Sequence, residues 1–172
     1  EIFNKFKLEK LLTFRNLLKQ INSKNEINFN SKKFSRNFVD KLDLKFDLAY
    51  GRLNYTKNIS LSDNIFNCKG SINLLEEFPL LFFDCSINSN TKRDFFKNFD
   101  INLKKENNIF NLNVKGNLSV INNKINFKEI SMNNNYKASN TDLNYFKEKF
   151  ENILFEDNFI KIFNLKKIKE FI

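Results

Sequence analysis

The 172 residues include no histidine and no tryptophan. Without an imidazole, Ser-His-Asp and Cys-His catalysis, His-containing zinc sites and haem ligation by His are all excluded. Only 3 glycines and 1 proline occur, so collagen-like and Pro-rich classes fall away. The 2 cysteines form neither a CxxC redox motif nor a four-ligand metal set. No apolar run approaches the ~20 residues needed to cross a bilayer, the densest being Pro79-Leu80-Leu81-Phe82-Phe83. Phosphate-binding loops, dinucleotide fingerprints and nucleophile elbows are missing as well. The acidic doublets Glu76-Glu77 and Glu156-Asp157 read as charges of a solvated turn and a helix end rather than as an acid–base pair. We therefore expect no enzymatic activity and no cofactor or metal.

What is present is a chain of one domain's size, 41% hydrophobic with 22 Phe, able to bury a sizeable core. Lys+Arg number 29 against 20 Asp+Glu, a formal charge of +9. The basic doublets Lys32-Lys33, Lys92-Arg93, Lys104-Lys105 and Lys166-Lys167 are scattered, whereas nucleic-acid binders concentrate basic charge and offer aromatics on a polar face. Nucleic acid is accordingly not the expected partner. Abundant Asn, Lys, Ile and Phe is what A+T-rich codons supply whatever the function, so spacing carries more meaning than composition. The three-residue glycosylation pattern is discounted for the same reason. The chain opens on Glu1 rather than Met, which leads us to expect a piece of a longer protein or a processed form.

Between Lys41 and Met132 the dominant pattern is period-two alternation, the mark of strands with one apolar side. Leu42, Leu44, Phe46, Leu48 and Tyr50 alternate with Asp43, Lys45, Asp47 and Ala49, and similar runs start at Phe66, Phe99, Phe110 and Ile125. Turns are tested by asking whether apolar residues meet across each hairpin, because a one-residue slip sends them to opposite sides. A turn near Glu76-Glu77 pairs Leu74 with Pro79, Ile72 with Leu81, Gly70 with Phe83, Cys68 with Cys85 and Phe66 with Ile87. A turn at Glu106-Asn107 pairs Leu103 with Phe110, Ile101 with Leu112 and Phe99 with Val114. One at Asn122-Asn123, residues that tolerate left-handed backbone, pairs Val120 with Ile125 and Leu118 with Phe127. The last three strands then form a meander.

An internal repeat relates Phe66–Leu74 to Leu112–Val120, with Asn, Lys and Gly identical at corresponding positions. Gly51, Gly70 and Gly116 each precede the same apolar pattern, and Ile59-Ser-Leu61 and Ile125-Asn-Phe127 read as short return strands. Glycine inside a strand marks a bulge, a bend or a close approach, so repeated glycines suggest a curving sheet. Cys68 and Cys85, opposite each other in the hairpin, could form a cross-strand disulfide in an oxidising compartment. The reading favoured from sequence is two reduced core thiols.

The ends read as helical. Ser139-Asn-Thr-Asp142 resembles a capping box, followed by Leu143, Phe146, Phe150, Ile153 and Leu154 on one helical stripe. Phe159, Ile162 and Phe163, then Leu165, Ile168 and Phe171, suggest two further short helices. Leu8 to Ile21 permits a helix aligning Leu11, Phe14, Leu18 and Ile21, with a loop or irregular edge strand over Asn22–Asn37. The expected fold is α+β, mainly β: a curved antiparallel meander, groove-like with an apolar face, an N-terminal helix and C-terminal amphipathic helices. The divisions are 1–38 for the helix and polar connection, 39–138 for the sheet and 139–172 for the terminal helices.

The run Leu48–Leu61, with the Gly-containing Phe66–Leu74 after it, resembles the C-terminal region of AsmA-like proteins as found in A+T-rich alphaproteobacteria. Phe110–Met132 and Asp142–Ile172 are similar to that family's last hairpin and terminal helices. The likeness covers roughly residues 40–172 and rests on degenerate apolar patterns. It implies a place among the AsmA and TamB relatives, envelope proteins anchored in the inner membrane by an N-terminal helix, absent here. Their periplasmic β-groove is implicated in phospholipid movement towards the outer membrane. On this reading the chain is a C-terminal fragment in the periplasm, with phospholipid as its partner.

A sheet with one apolar side must cover it with helices, a second sheet or a ligand. The leading expectation is that Phe66, Ile72, Leu74, Leu81, Phe83, Phe99, Ile101, Leu103, Leu112, Val114, Leu118, Val120 and Phe127 line a trough for acyl chains, with no catalytic group required. The structural alternative is that the C-terminal helices plug this side. Two other functions remain open: a basic ribosomal or RNA-binding protein, and a structural β-module whose sheet edges pair with a neighbour.

Overall fold

The computed structural model describes residues 14–30, 40–61, 64–90, 109–119, 121–133 and 135–151. Among the described residues the fold is mainly β: an open, antiparallel, eight-stranded sheet with two short helices. The strands are β1 (Asn22–Asn30), β2 (Lys41–Ala49), β3 (Arg52–Leu61), β4 (Asn64–Asn73), β5 (Leu80–Ser89), β6 (Phe110–Ser119), β7 (Lys124–Met132) and β8 (Tyr136–Lys137), and they lie side by side in chain order. Helix α1 (Arg15–Leu18) precedes β1, and α2 (Asn140–Glu151) follows β8. Each strand thus pairs with its sequence neighbours, across short turns and longer connections alike.

The β2–β3 turn has two residues, Tyr50 at φ 48° and Gly51 at φ 85°. Two left-handed residues in a two-residue loop match the twist of the flanking strands. A Cβ at Gly51 would also press into Leu75. The β4–β5 register agrees with the sequence expectation: Cys68 faces Cys85, Gly70 faces Phe83 and Phe66 faces Ile87.

Four expectations are corrected. Strand β6 is flanked by β5 and β7, so Leu112 faces Ile87 and Met132, Val114 faces Cys85 and Ile130, and Phe110 faces Ser89. Both sides of β6 are taken, which displaces the pairing expected with Phe99, Ile101 and Leu103, residues that themselves lie outside the described set. The β6–β7 connection is longer than a two-residue turn, so Leu118 faces Ile125 and Gly116 faces Phe127, two positions from the expected register. The slip of two keeps every side chain on its expected side, because the strand period is two. Ile59 and Ser60 continue β3 rather than opening a return strand. The cysteines are joined as a disulfide, with Cα atoms 4.0 Å apart, and are not reduced thiols; antiparallel register alone brings their Cβ atoms within bonding reach.

At the N-terminal side, Asn22–Asn30 is the edge strand itself, exposed along nearly all its length. The sequence-predicted helix is described only as α1, whose Leu18 is buried with Ile72 and Leu74 while Ile21, Leu48, Leu53 and Leu81 pack around them. Arg15 ties this cap to the β4–β5 loop by donating to the Glu76 carbonyl at 2.7 Å. A second cluster forms where α2 crosses β7: Ile125, Phe127 and Ile130 are buried against Phe83, Leu112, Val114, Leu118, Leu143 and Phe146. The capping box is present: the Ser139 N–H donates to Asp142 Oδ2 at 2.9 Å, and the Asp142 N–H to Ser139 Oγ at 3.3 Å. The further helices expected after Glu151 lie outside the described residues.

Candidate functional site

Ladder register sorts side chains into cross-strand rows. One row runs Asn25, Phe46, Tyr55, Gly70, Phe83, Gly116, Phe127. Others on the same side run Ile27, Leu44, Lys57, Cys68, Cys85, Val114, Ile130 and Phe29, Leu42, Ile59, Phe66, Ile87, Leu112, Met132. The internal repeat now has a physical meaning, because β4 and β6 flank the same strand. Gly70 and Gly116 stand on either side of Phe83, and Lys69 and Lys115 on either side of Asp84. Gly116 also sits at the register shift in β6–β7, where Lys128 is extra. That bulge moves the inward phase of β7 from Ile125 and Phe127 to Ile130, all three being buried.

The expected lipid-binding residues divide among three places. Ile72, Leu74 and Leu81 lie under α1, and Phe83, Leu112, Val114, Leu118 and Phe127 belong to the α2 cluster. Phe66 is half-buried on β4, in neither cluster. Phe99, Ile101, Leu103 and Val120 lie outside the described residues. Further apolar side chains beyond both clusters lie on β1–β3, where sequence reading placed no site: Ile27 is 52% and Phe29 44% exposed, and Leu42, Leu44 and Ile59 are half-buried. The signal for Ile27 and Phe29 was present as a short alternation, hidden because their partners on the strand are Asn, Lys and Glu.

The opposite side of the sheet is hydrophilic and ordered by charge. Its rows include Asp43, Asn58, Asn67, Ser86, Asn113, Ser131 and Glu26, Lys45, Thr56, Lys69, Asp84, Lys115, Glu129. Lys45 lies 3.1 Å from Glu26, Lys69 3.8 Å from Asp84 and Lys115 3.8 Å from Glu129. The Lys45 contact holds the Glu26 carboxyl below its ordinary range. Such exposed pairs add little stability, but they disfavour register slips that would put like charges opposite. Two open hollows lie largely over this side. One, of about 400 Å³, is bounded by β1–β3 residues including Lys24, Glu26, Lys45 and Asp47. The other, of about 460 Å³, is bounded by Asn54, Thr56, Lys69, Ser71, Phe82, Asp84, Lys115 and Lys128 among others.

Among the described residues no three Cys, Asp or Glu side chains gather as a metal site. No described helix is long and apolar enough to cross a membrane. Burial raises the Tyr55 phenol above its ordinary range, with its hydroxyl 3.8 Å from Cys68 Sγ. No protein-family model matches the chain, and comparisons with curated proteins and with solved structures find no match.

Proposed function

We propose that the chain is a lipid-binding segment of an AsmA-like envelope protein, and that the side of the sheet carrying Phe46, Phe66 and Phe83 is an apolar face that holds acyl chains. The observation that carries the reading is the set of neighbouring rows on β1–β3, where Ile27, Phe29, Leu42, Leu44 and Ile59 lie outside both helix-covered clusters. Leaving such side chains facing water forfeits about 25 cal/mol for each Å² of apolar surface, and an acyl chain lying across the strands recovers it. Helix α2 occupies the other end of the same rows and α1 covers a separate row through Leu48, Leu53 and Ile72, so the trough is narrower than the one expected from sequence and is centred nearer β1. Binding of this kind needs no nucleophile, acid–base pair or metal.

The disulfide supports an oxidising compartment such as the periplasm, since such bonds persist there and are rare where thiols are kept reduced. The chain-order meander supports a sheet that extends strand by strand, as the resemblance implies. Native mass spectrometry after a high-salt wash tests the proposal. Phospholipid retained at defined stoichiometry, and lost in Leu42→Asp or Ile59→Asp variants that keep their fold, is the expected result. A folded chain free of phospholipid overturns it.

A further inference from the structure

The hydrophilic side of the sheet holds one feature that the lipid reading does not use. Phe82 is 42% exposed there, an aromatic ring amid amides, hydroxyls and charges. Its cross-strand neighbours are Ser71 on β4 and Asn117 on β6, and Lys128, the extra residue of the β7 bulge, lies 5.4 Å from the ring centroid. The ring borders the hollow of about 460 Å³. A solvent-facing Phe on the mainly polar side of the sheet costs apolar exposure that a core position would avoid.

We propose that this hollow binds an acidic saccharide, with a sugar ring stacked on Phe82 and its carboxylate paired with Lys128. Ring stacking needs an aromatic face bordered by groups that both donate and accept hydrogen bonds, and Ser71 and Asn117 do both. Charge selects the class of ligand. Lys69 and Lys115 are already committed to Asp84 and Glu129, whereas Lys128 has no carboxylate within ion-pair distance among the described residues. One uncommitted cation suits one carboxylate per ring; a phosphate backbone calls for a track of free cations and several stacking rings. Lys128 sits on a flexible stem over an exposed ring, a contact worth about 0.5–1 kcal/mol, so it can swing onto the carboxylate and uncover the ring. This site is on the side of the sheet away from the proposed acyl trough and does not depend on it.

Isothermal titration calorimetry tests the proposal with three probes: a galacturonic acid trisaccharide, a neutral galactose trisaccharide and an oligothymidylate. We expect saturable binding of the acidic trisaccharide, about tenfold weaker in Phe82→Ala and restored in Phe82→Tyr. In Lys128→Gln the preference for the acidic over the neutral sugar falls by about fivefold, an ion-pair-sized effect. Absence of saturable saccharide binding by the folded chain overturns the proposal, as does affinity indifferent to Phe82→Ala. Tighter binding of oligothymidylate that competes with the sugar overturns it in favour of a nucleic-acid surface. Should Phe82→Ala lower the melting temperature, Phe82→Tyr and Lys128→Gln decide the outcome.

Discussion

Phe83 and Gly116 face each other across β5 and β6, with Phe83 Cζ 2.7 Å from the point where a Gly116 Cβ would stand. On the other side of Phe83, Gly70 leaves room that the Tyr55 ring fills. The two glycines of the internal repeat are thus the two sides of one slot. We predict that Gly116→Ala and Gly70→Ala each destabilise the sheet by about 1–3 kcal/mol through overpacking, measured as a lower urea midpoint. Ser71→Ala, outside the slot, serves as the comparison and should stay within about 0.5 kcal/mol.

The Cys68–Cys85 bond closes a loop of sequence separation 17 between adjacent strands. Unfolded, unreduced protein should show no titratable thiol. Reduction, or the double substitution Cys68→Ala with Cys85→Ala, should cost about 3 kcal/mol on the chain-entropy estimate for a loop of this size. Two titratable thiols in protein purified without reductant would refute the bond.

The N-terminus of α2 depends on Ser139 and Asp142. Hydrogen bonds from the Ser139 backbone N–H, the Ser139 hydroxyl and the Tyr136 hydroxyl hold the Asp142 carboxyl below its ordinary range. Its contribution is present above the ordinary carboxylate pKa and is lost as pH falls through the depressed folded value. Acidification below the carboxylate range should therefore reduce α2 helicity by circular dichroism, with a smaller change in Asp142→Asn. Ser139→Ala should cost about 1 kcal/mol at neutral pH.

The two long edges of the sheet are treated differently. On β7 the Ile125 N–H donates to Glu151 Oε1 at 2.9 Å and the Ala138 N–H to the Ile130 carbonyl at 2.9 Å, so α2 and the segment around β8 cover that edge. Strand β1 lies at the other end of the sheet and is exposed along its length. Hydrogen exchange should accordingly be fastest at β1 amides that point away from β2, and slow at Ile125. Glu151→Ala should release Ile125 selectively, without accelerating the centre of β4 or β5.

Sequence alternation sufficed to place β2, β4, β5, β6 and β7 as strands, and together with a short turn near Glu76-Glu77 it sufficed for the β4–β5 register, in which Phe66, Cys68 and Gly70 stand opposite Ile87, Cys85 and Phe83. The capping box was equally local, its partners three residues apart. The order in which strands join across longer connections was not local. Nothing in Phe110–Val114 distinguishes Phe99–Leu103 from Cys85–Ser89 as a partner, because each offers alternating apolar residues; the competition for one strand edge is settled only when the whole sheet is assembled. Likewise the bulge at Lys128 depends on fitting Ile130 under α2, and the exposure of Ile27 and Phe29 depends on which elements reach the β1 end. The sequence by itself determined which residues alternate, how β4 and β5 pair and how α2 begins. The tertiary structure decided which strands meet, which apolar residues the helices cover and that Phe82 faces water, because each of these depends on contacts between segments far apart in the chain.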